Sequence, residues 1–373
     1  LKRRISSFNK KRKLPPGQRL ICYGFIACML SLVEAPELPA DQVNAVDIQK
    51  ASSVTCADPF KLSESFNDLE TTLKRTINLP KLKAGVFLYE AGSGRYIDID
   101  SQRPYSAAST IKVPVLVKLL SCVDKKQVSL DKVLTMSPEL IGGGSGDLQW
   151  RPVNSKISVR DAAELMITHS DNTATNMIIN VCGGKDACNK DFANWGLKNT
   201  SIANWLPDLE GTNKTSPHDL AFILGKVDQG SVLSDNSRAI MYDYMSRTRT
   251  KTLLPRGLGP GAKIVHKTGD IGSMIADCGI VTTPDGHKYF VAMQVERPHN
   301  DRRGNELIRT TSRLIYEQIT GTSVSEEGCL GESTLIENVG RKRVSRQNIA
   351  AGKQAFVPVS HQKHQRRHRR HSH

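Results

Sequence analysis

The chain has 373 residues, 38% of them hydrophobic, which is enough to bury the core of one large domain or two modest ones. Its formal charge of +15 is not spread evenly: residues 1–20 and 340–373 hold 18 of the 52 Lys and Arg and no acid, leaving 34 basic against 37 acidic residues between them. A near-neutral body with two basic ends argues against a specific nucleic-acid partner, and eight cysteines without paired zinc-ligand spacing argue against a metal centre, so neither metal nor cofactor is expected.

The basic lead LKRRISSFNKKRKLPPGQR runs into LICYGFIACMLSLV at 20–33. A basic lead before 14 mostly apolar residues fits a secretory signal or a short anchor, because a full membrane span needs about 20. Export to the periplasm or cell envelope is therefore expected, with 20–33 either removed or retained. Residues 34–58, rich in Pro and Ala, read as a linker, so 1–58 forms one N-terminal region.

Helical spacing follows in ESFNDLETTLKRTI (64–77), which ends before Pro80. AGVFLYEAGSGRYIDID (84–100) alternates and turns at Gly92 and Gly94, the pattern of a hairpin. IKVPVLVKLLSCV (111–123) is apolar, with Pro114 suited to a helix's first turn. Helices are predicted over 159–167, 174–181, 219–227 and 236–246. Strands are predicted over 274–283 and 288–296, joined at Asp285-Gly286, and NELIRTTSRLIYEQI (305–319) closes as an amphipathic helix. Strands at both ends and helices between them imply an α/β (α+β) fold: a sheet flanked by helices, with an inserted helical lobe. The expected domain is 59–325, its α/β part from 59–118 and 257–325 and its lobe from 119–256. Cys182 and Cys188 bracket Gly183-Gly184 and would either bridge locally or remain buried thiols. The tail 326–373 is basic and holds five of the ten histidines, a composition that cannot build a core. It is either a solvated tail or a means of attraction to anionic polymer or a membrane surface.

Three short patterns carry chemistry. Ser109-Thr110-Ile111-Lys112 opens a helix, and side chains at i and i+3 share a face, so Lys112 can reach Ser109. An amine takes a hydroxyl proton only when neutral, so burial or a nearby cation must lower its pKa from about 10.4. Alone the pattern is weak, since Ser7 with Lys10 and Ser360 with Lys363 match it in the tails. Ser170-Asp171-Asn172 lies between two helices and by itself is an ordinary set of capping residues. Lys267-Thr268-Gly269 precedes a predicted strand and by itself is a turn entering a sheet edge.

Together and in this order, the three resemble the signature of class A β-lactamases and penicillin-binding proteins. GGGSGDLQW (142–150) and ISVRDAAELMITHSDNTATNMII (157–179) are similar to the family's central segment, and the resemblance spans roughly residues 60–320. It implies a β-lactamase/DD-peptidase-like fold with an antiparallel sheet and acyl-enzyme chemistry. On that resemblance Ser109 is the nucleophile, Lys112 its general base, and Ser170 the relay to the leaving nitrogen. Asn172 would hold the substrate's side-chain amide. Lys267 and Thr268 of the Lys267-Thr268-Gly269 triplet would bind the terminal carboxylate, and the N–H groups of Ser109 and Asp270 the oxyanion. Asp171 would be structural, and His169 a packed neighbour.

The loop ANWLPDLEG (203–211) departs from the class A pattern, in which a glutamate activates the deacylating water. Trp205 to Glu210 fit that pattern without a gap and place Leu206 at the glutamate and Glu210 at a later asparagine. A leucine there resembles the penicillin-binding protein A group, peptidases of D-alanyl-D-alanine stem peptides in peptidoglycan. The expectation is a D-Ala-D-Ala peptidase, monomeric, that binds β-lactams and deacylates slowly. The alternative is a class A β-lactamase in which Glu210, moved inward, replaces the lost base.

Overall fold

The structure, a computed structural model, describes residues 58–324. The basic ends, the apolar segment 20–33 with Cys22 and Cys28, the linker before residue 58 and the tail 326–373 lie outside the described residues. No helix among the described residues is long and apolar enough to cross a membrane.

In chain order the elements are α1 (Asn67–Ile77), β1 (Lys83–Glu90), β2 (Tyr96–Ile99), β3 (Tyr105–Ser106), α2 (Lys112–Asp124), β4 (Val133–Thr135), β5 (Lys156–Ser158), α3 (Val159–Thr168), α4 (Asn172–Val181), α5 (Gly184–Asn194), β6 (Lys214–Thr215), α6 (Pro217–Asp228), α7 (Asp235–Ser246), β7 (Lys263–Asp270), β8 (Met274–Thr282), β9 (Lys288–Glu296) and α8 (Arg303–Thr320). A five-stranded antiparallel sheet has the order β2-β1-β9-β8-β7, so strands from the two ends of the domain meet at β1 and β9. Their register, Leu88 opposite Val291 and Val86 opposite Met293, sets apolar residues side by side. Two-residue and three-residue ladders, β3 with β6 and β4 with β5, tie loops together. They are too short to show a period in the sequence.

One face of the sheet is covered by α1 and α8, where Leu73, Val86, Leu88, Ile97, Met293 and Ile308 are buried together. The other face receives α6, which packs on β1, β8 and β9, and beyond it the helices α2, α3, α4 and α7. The helical segment is therefore continuous with the sheet's inner face: Phe87, Ile280 and Phe290 share one cluster with Leu116, Ile178 and Leu224.

Helix starts follow the capping chemistry in the sequence. The hydroxyls of Ser158, Ser216 and Ser234 accept from the backbone N–H groups of Asp161, Asp219 and Ser237, and Pro217 occupies the first turn of α6. The first predicted helix begins at Asn67 rather than residue 64, because Ser65 bridges Tyr96 and Phe66 donates to Tyr96 O, which extends the chain there. α5 was not predicted: of its eleven residues only Cys188 and Phe192 are buried, which leaves a weak apolar signal.

Candidate active site

Three segments converge. Ser109 lies in a short 3-10 turn, Ala108–Ile111, that leads directly into α2. Ser170-Asp171-Asn172 joins α3 to α4, with Asp171 as the cap of α4. Lys267-Thr268-Gly269 lies within the edge strand β7, which corrects the expectation of a turn before a strand. The alternating apolar signal is lost there because a sheet edge facing a cleft carries polar side chains. Ala108 and Ser170 both have positive φ, 45° and 57°, a conformation that non-glycine residues hold only when their surroundings enforce it. Gly269 lets β7 approach the 3-10 turn: a Cβ there would fall 2.9 Å from Ser109 N and 3.0 Å from the Ala108 Cβ.

Lys112 is fully buried, and its Nζ is 2.7 Å from Ser170 O, 2.8 Å from Asn172 Oδ1, 3.0 Å from Ser170 Oγ and 3.1 Å from Ser109 Oγ. Two of these partners, the carbonyl of Ser170 and the amide oxygen of Asn172, can only accept. A neutral amine donates its two hydrogens to them and leaves its lone pair toward the two hydroxyls. Burial, and next the Lys267 ammonium, drive Lys112 well below the ordinary lysine range, with Asp171 opposing them weakly. Lys267 is buried too and is pushed down to about 8 by burial, with the Asp277 carboxylate opposing. Its Nζ donates to Thr268 O at 2.8 Å and Ser170 Oγ at 3.1 Å. Ser170 Oγ thus stands between two amines, and Lys112 connects it to Ser109.

The remaining partners hold this arrangement. Asn172 gives its Oδ1 to Lys112 and one amide hydrogen to Gly143 O at 2.7 Å, so one amide hydrogen is left to offer outward. Asp171 accepts from Ala174 N and Leu148 N at 2.8 and 2.9 Å, clamping the 142–150 loop onto α4. Asp270 accepts from Arg297 Nη2 at 2.7 Å and from Gly272 N at 2.8 Å. His169 is half-buried, with Nδ1 2.7 Å from Thr168 Oγ1.

Two cavities of about 240 and 190 Å³ share Ser145, Ser170, Thr250 and Thr268, making one cleft. Ser109, Gly269 and Asp270 line one part; Lys267, His169 and Arg249 line the other. Arg249, Thr250 and Thr252 were missed in the sequence, and Ser145 was not singled out within the 142–150 segment. The signal was the alternation of threonines at 248, 250 and 252, all of which line the cleft, Thr248 also donating to His266 O at 2.7 Å. Arg247 is tied to Glu164 and Asp243, whereas the Arg249 side chain makes no ion pair among the described residues.

The loop 203–211 is fixed by its backbone. Asn176 accepts from Leu206 N at 2.9 Å and donates to Leu206 O at 2.7 Å, and the Leu206-Pro207 bond is cis. Leu206 is 6% exposed and Leu209 69%, so Leu206 is the leucine that turns inward, packing with the helical core. Gly142 lies against it: a Cβ there would be 2.3 Å from Leu206 O and 3.1 Å from Asn172 Cβ. Asp208 is buried and accepts from Thr212 and Asn213, holding the loop closed. Glu210 is exposed, which corrects the inward position considered for it. A carboxylate moves to solvent when no buried partner repays its desolvation. Among the described residues no group of three His, Cys, Asp or Glu side chains is arranged to hold a metal ion.

Comparison with known proteins agrees with this geometry. The model of the beta-lactamase enzyme family matches residues 68–319. A solved structure of PBP-A is 46% identical, covers 70% of this chain and 100% of its own, and superposes with a TM-score of 0.70. A leucine-to-glutamate mutant of PBP-A, an acyl-enzyme complex with penicillin G, is likewise 46% identical, covers 69% of this chain and 98% of its own, and has a TM-score of 0.69. The extended-spectrum beta-lactamase PER-1 of Pseudomonas aeruginosa is 26% identical over 276 residues, which is 66% of this chain and 88% of that protein.

Proposed function

The chain belongs to the beta-lactamase enzyme family, and we propose that within it the protein is an exported, penicillin-binding serine hydrolase acting on D-Ala-D-Ala ends of peptidoglycan stem peptides. One observation carries the reading: the fully buried amine of Lys112 faces Ser109 Oγ at 3.1 Å, while the inward residue of the 203–211 loop is Leu206 and not an acid. The first half supplies acylation. The second withholds the usual base for deacylation. The similarity to PBP-A supports the same assignment.

The proposed course begins as Ser109 gives its proton to Lys112 and its Oγ attacks the peptide carbonyl. The oxyanion is received by the N–H groups of Ser109 and Asp270. The proton passes from Lys112 through Ser170 Oγ to the departing nitrogen, over the 3.0 Å contact between them. Lys267 and Thr268 bind the terminal carboxylate, and Arg249, which lines the same cleft, adds a second positive charge. D-Ala then leaves and opens room for water or an amine. A ring-opened β-lactam keeps its leaving group tethered, and Leu206 can neither take a proton nor hold a water for it.

A second reading, a β-lactamase, is favoured by the relatives of that activity, PER-1 among them. It requires Glu210 to act as base; Glu210→Gln with undiminished turnover would exclude that role. The residues outside the described region complete the proposal: 20–33 as signal or anchor, and the basic tail as a contact for anionic polymer or a membrane surface. A fluorescent penicillin tests the proposal. Stable labelling of the wild type and none of Ser109→Ala is expected; labelling of Ser109→Ala refutes the nucleophile.

A further inference from the structure

The pair α2 and α4 is joined at the active-site end by the bond from Lys112 Nζ to Asn172 Oδ1, 2.8 Å long. Cys122 lies ten residues beyond Lys112 and Cys182 ten beyond Asn172. The two helices pack on one another, and both thiols are buried at their far ends, where each perturbs the other's ionisation. Equal spacing from a shared contact is what a parallel helix pair requires, since each advances about 1.5 Å per residue. Cys122 and Cys182 are both buried in the same apolar cluster, beside Lys118, whose Nζ is 2.6 Å from Asp191 Oδ2. The sequence left Cys182 and Cys188 either bridged locally or as buried thiols. The structure leaves all three thiols free and buried in one cluster, and the helix pairing sets Cys122, not Cys188, at the same distance along its helix as Cys182.

We propose that Cys122 and Cys182 are an oxidation site of this protein, closing to a disulfide that staples the far ends of α2 and α4. The oxidant is a low-molecular-weight disulfide. The Cys122 thiolate attacks one of its sulfurs and expels a thiolate; the Cys182 sulfur then displaces the second thiolate from the mixed disulfide. Two protein thiols lose two electrons and two protons, and the oxidant is reduced to two free thiols.

The surroundings favour Cys122 as the attacking group. The neighbouring Cys182 thiol, and next the Lys118 ammonium, hold the Cys122 thiol below the ordinary cysteine range, whereas burial pushes Cys188 up. Asp191, at the ionic edge of the cluster, is 20% exposed in its side chain, so solvent reaches the group from that side. The bond would close a loop of 60 residues, from 122 to 182, in the unfolded chain. A rise in thermal midpoint on the order of 5–10 °C is expected from the lost chain entropy.

The test equilibrates the full chain with oxidised or reduced glutathione, maps peptides without reduction, and records the thermal midpoint of each form. The expected result is a Cys122–Cys182 peptide and a higher midpoint in the oxidised form. Both should vanish in Cys122→Ser and in Cys182→Ser and persist in Cys188→Ser. A Cys182–Cys188 peptide as the main product, no Cys122–Cys182 peptide in the folded wild type, or a midpoint shift abolished by Cys188→Ser would overturn the proposal.

Discussion

Two buried lysines one hydroxyl apart cannot both serve as cations. Lys112 is driven further down than Lys267, so the lower of the two affinities belongs to the amine beside Ser109 and the higher to the one beside Thr268. Acylation then needs Lys112 neutral and Lys267 charged. The second-order rate of acylation should rise as Lys112 loses its proton and fall again as Lys267 does so, near pH 8. Lys267→Arg, which keeps its charge, should remove the falling limb; a falling limb unchanged in that variant would assign it to another group. The same depression sets stability. Between the folded pKa of Lys112 and about 10.4 the unfolded chain binds a proton that the folded chain does not, so stability rises with pH across that window. Leu206 is the other informative residue. Leu206→Glu would place a carboxylate at a position 6% exposed and should speed penicillin release at least tenfold, about 1.4 kcal/mol off the deacylation barrier. An unchanged acyl-enzyme lifetime would show that the loop does not address Ser109.

At the scale of elements, the site is a matter of what presses the loops inward. Asn176 on α4 makes both of the hydrogen bonds that hold the Leu206 backbone. Asn176→Ala should leave a buried N–H and a buried C=O without partners and destabilise the fold by about 2 kcal/mol or more, read from urea unfolding at unchanged slope. A loss below about 0.5 kcal/mol would mean that the clamp does not persist in solution. Gly269 has the same standing on the other wall. Gly269→Ala should push the 3-10 turn off β7 and lower acylation, with the covalent labelling rate as the readout; a wild-type rate would show that the turn yields without cost. Apolar spacing placed the starts of α3, α4, α6 and α7 within two residues, whereas Lys267-Thr268-Gly269 read as a turn although it lies within β7. The apolar residues of β7, Ile264 and Val265, come earlier in the strand, and the triplet at the cleft displays none.

For the whole molecule, local periodicity gave most helices and the hairpin, and the order of elements gave the sheet with helices on it. What could not be read was non-local: that α6 belongs on the sheet, that Cys182 meets Cys122 across 60 residues, and that Arg249 and the threonines near it line the cleft with Ser170. Residues of the site with a motif were found. Those that enter it only through the fold were not, because their neighbours in sequence carry no signal of it. The acylating half of the chemistry is common to both readings of the function, so the lifetime of the acyl-enzyme decides between them. The direct measurement is an intact-mass time course of the full chain mixed with benzylpenicillin. A covalent adduct on Ser109 that outlasts the free drug is predicted; rapid consumption of the drug with no lasting adduct would contradict the account.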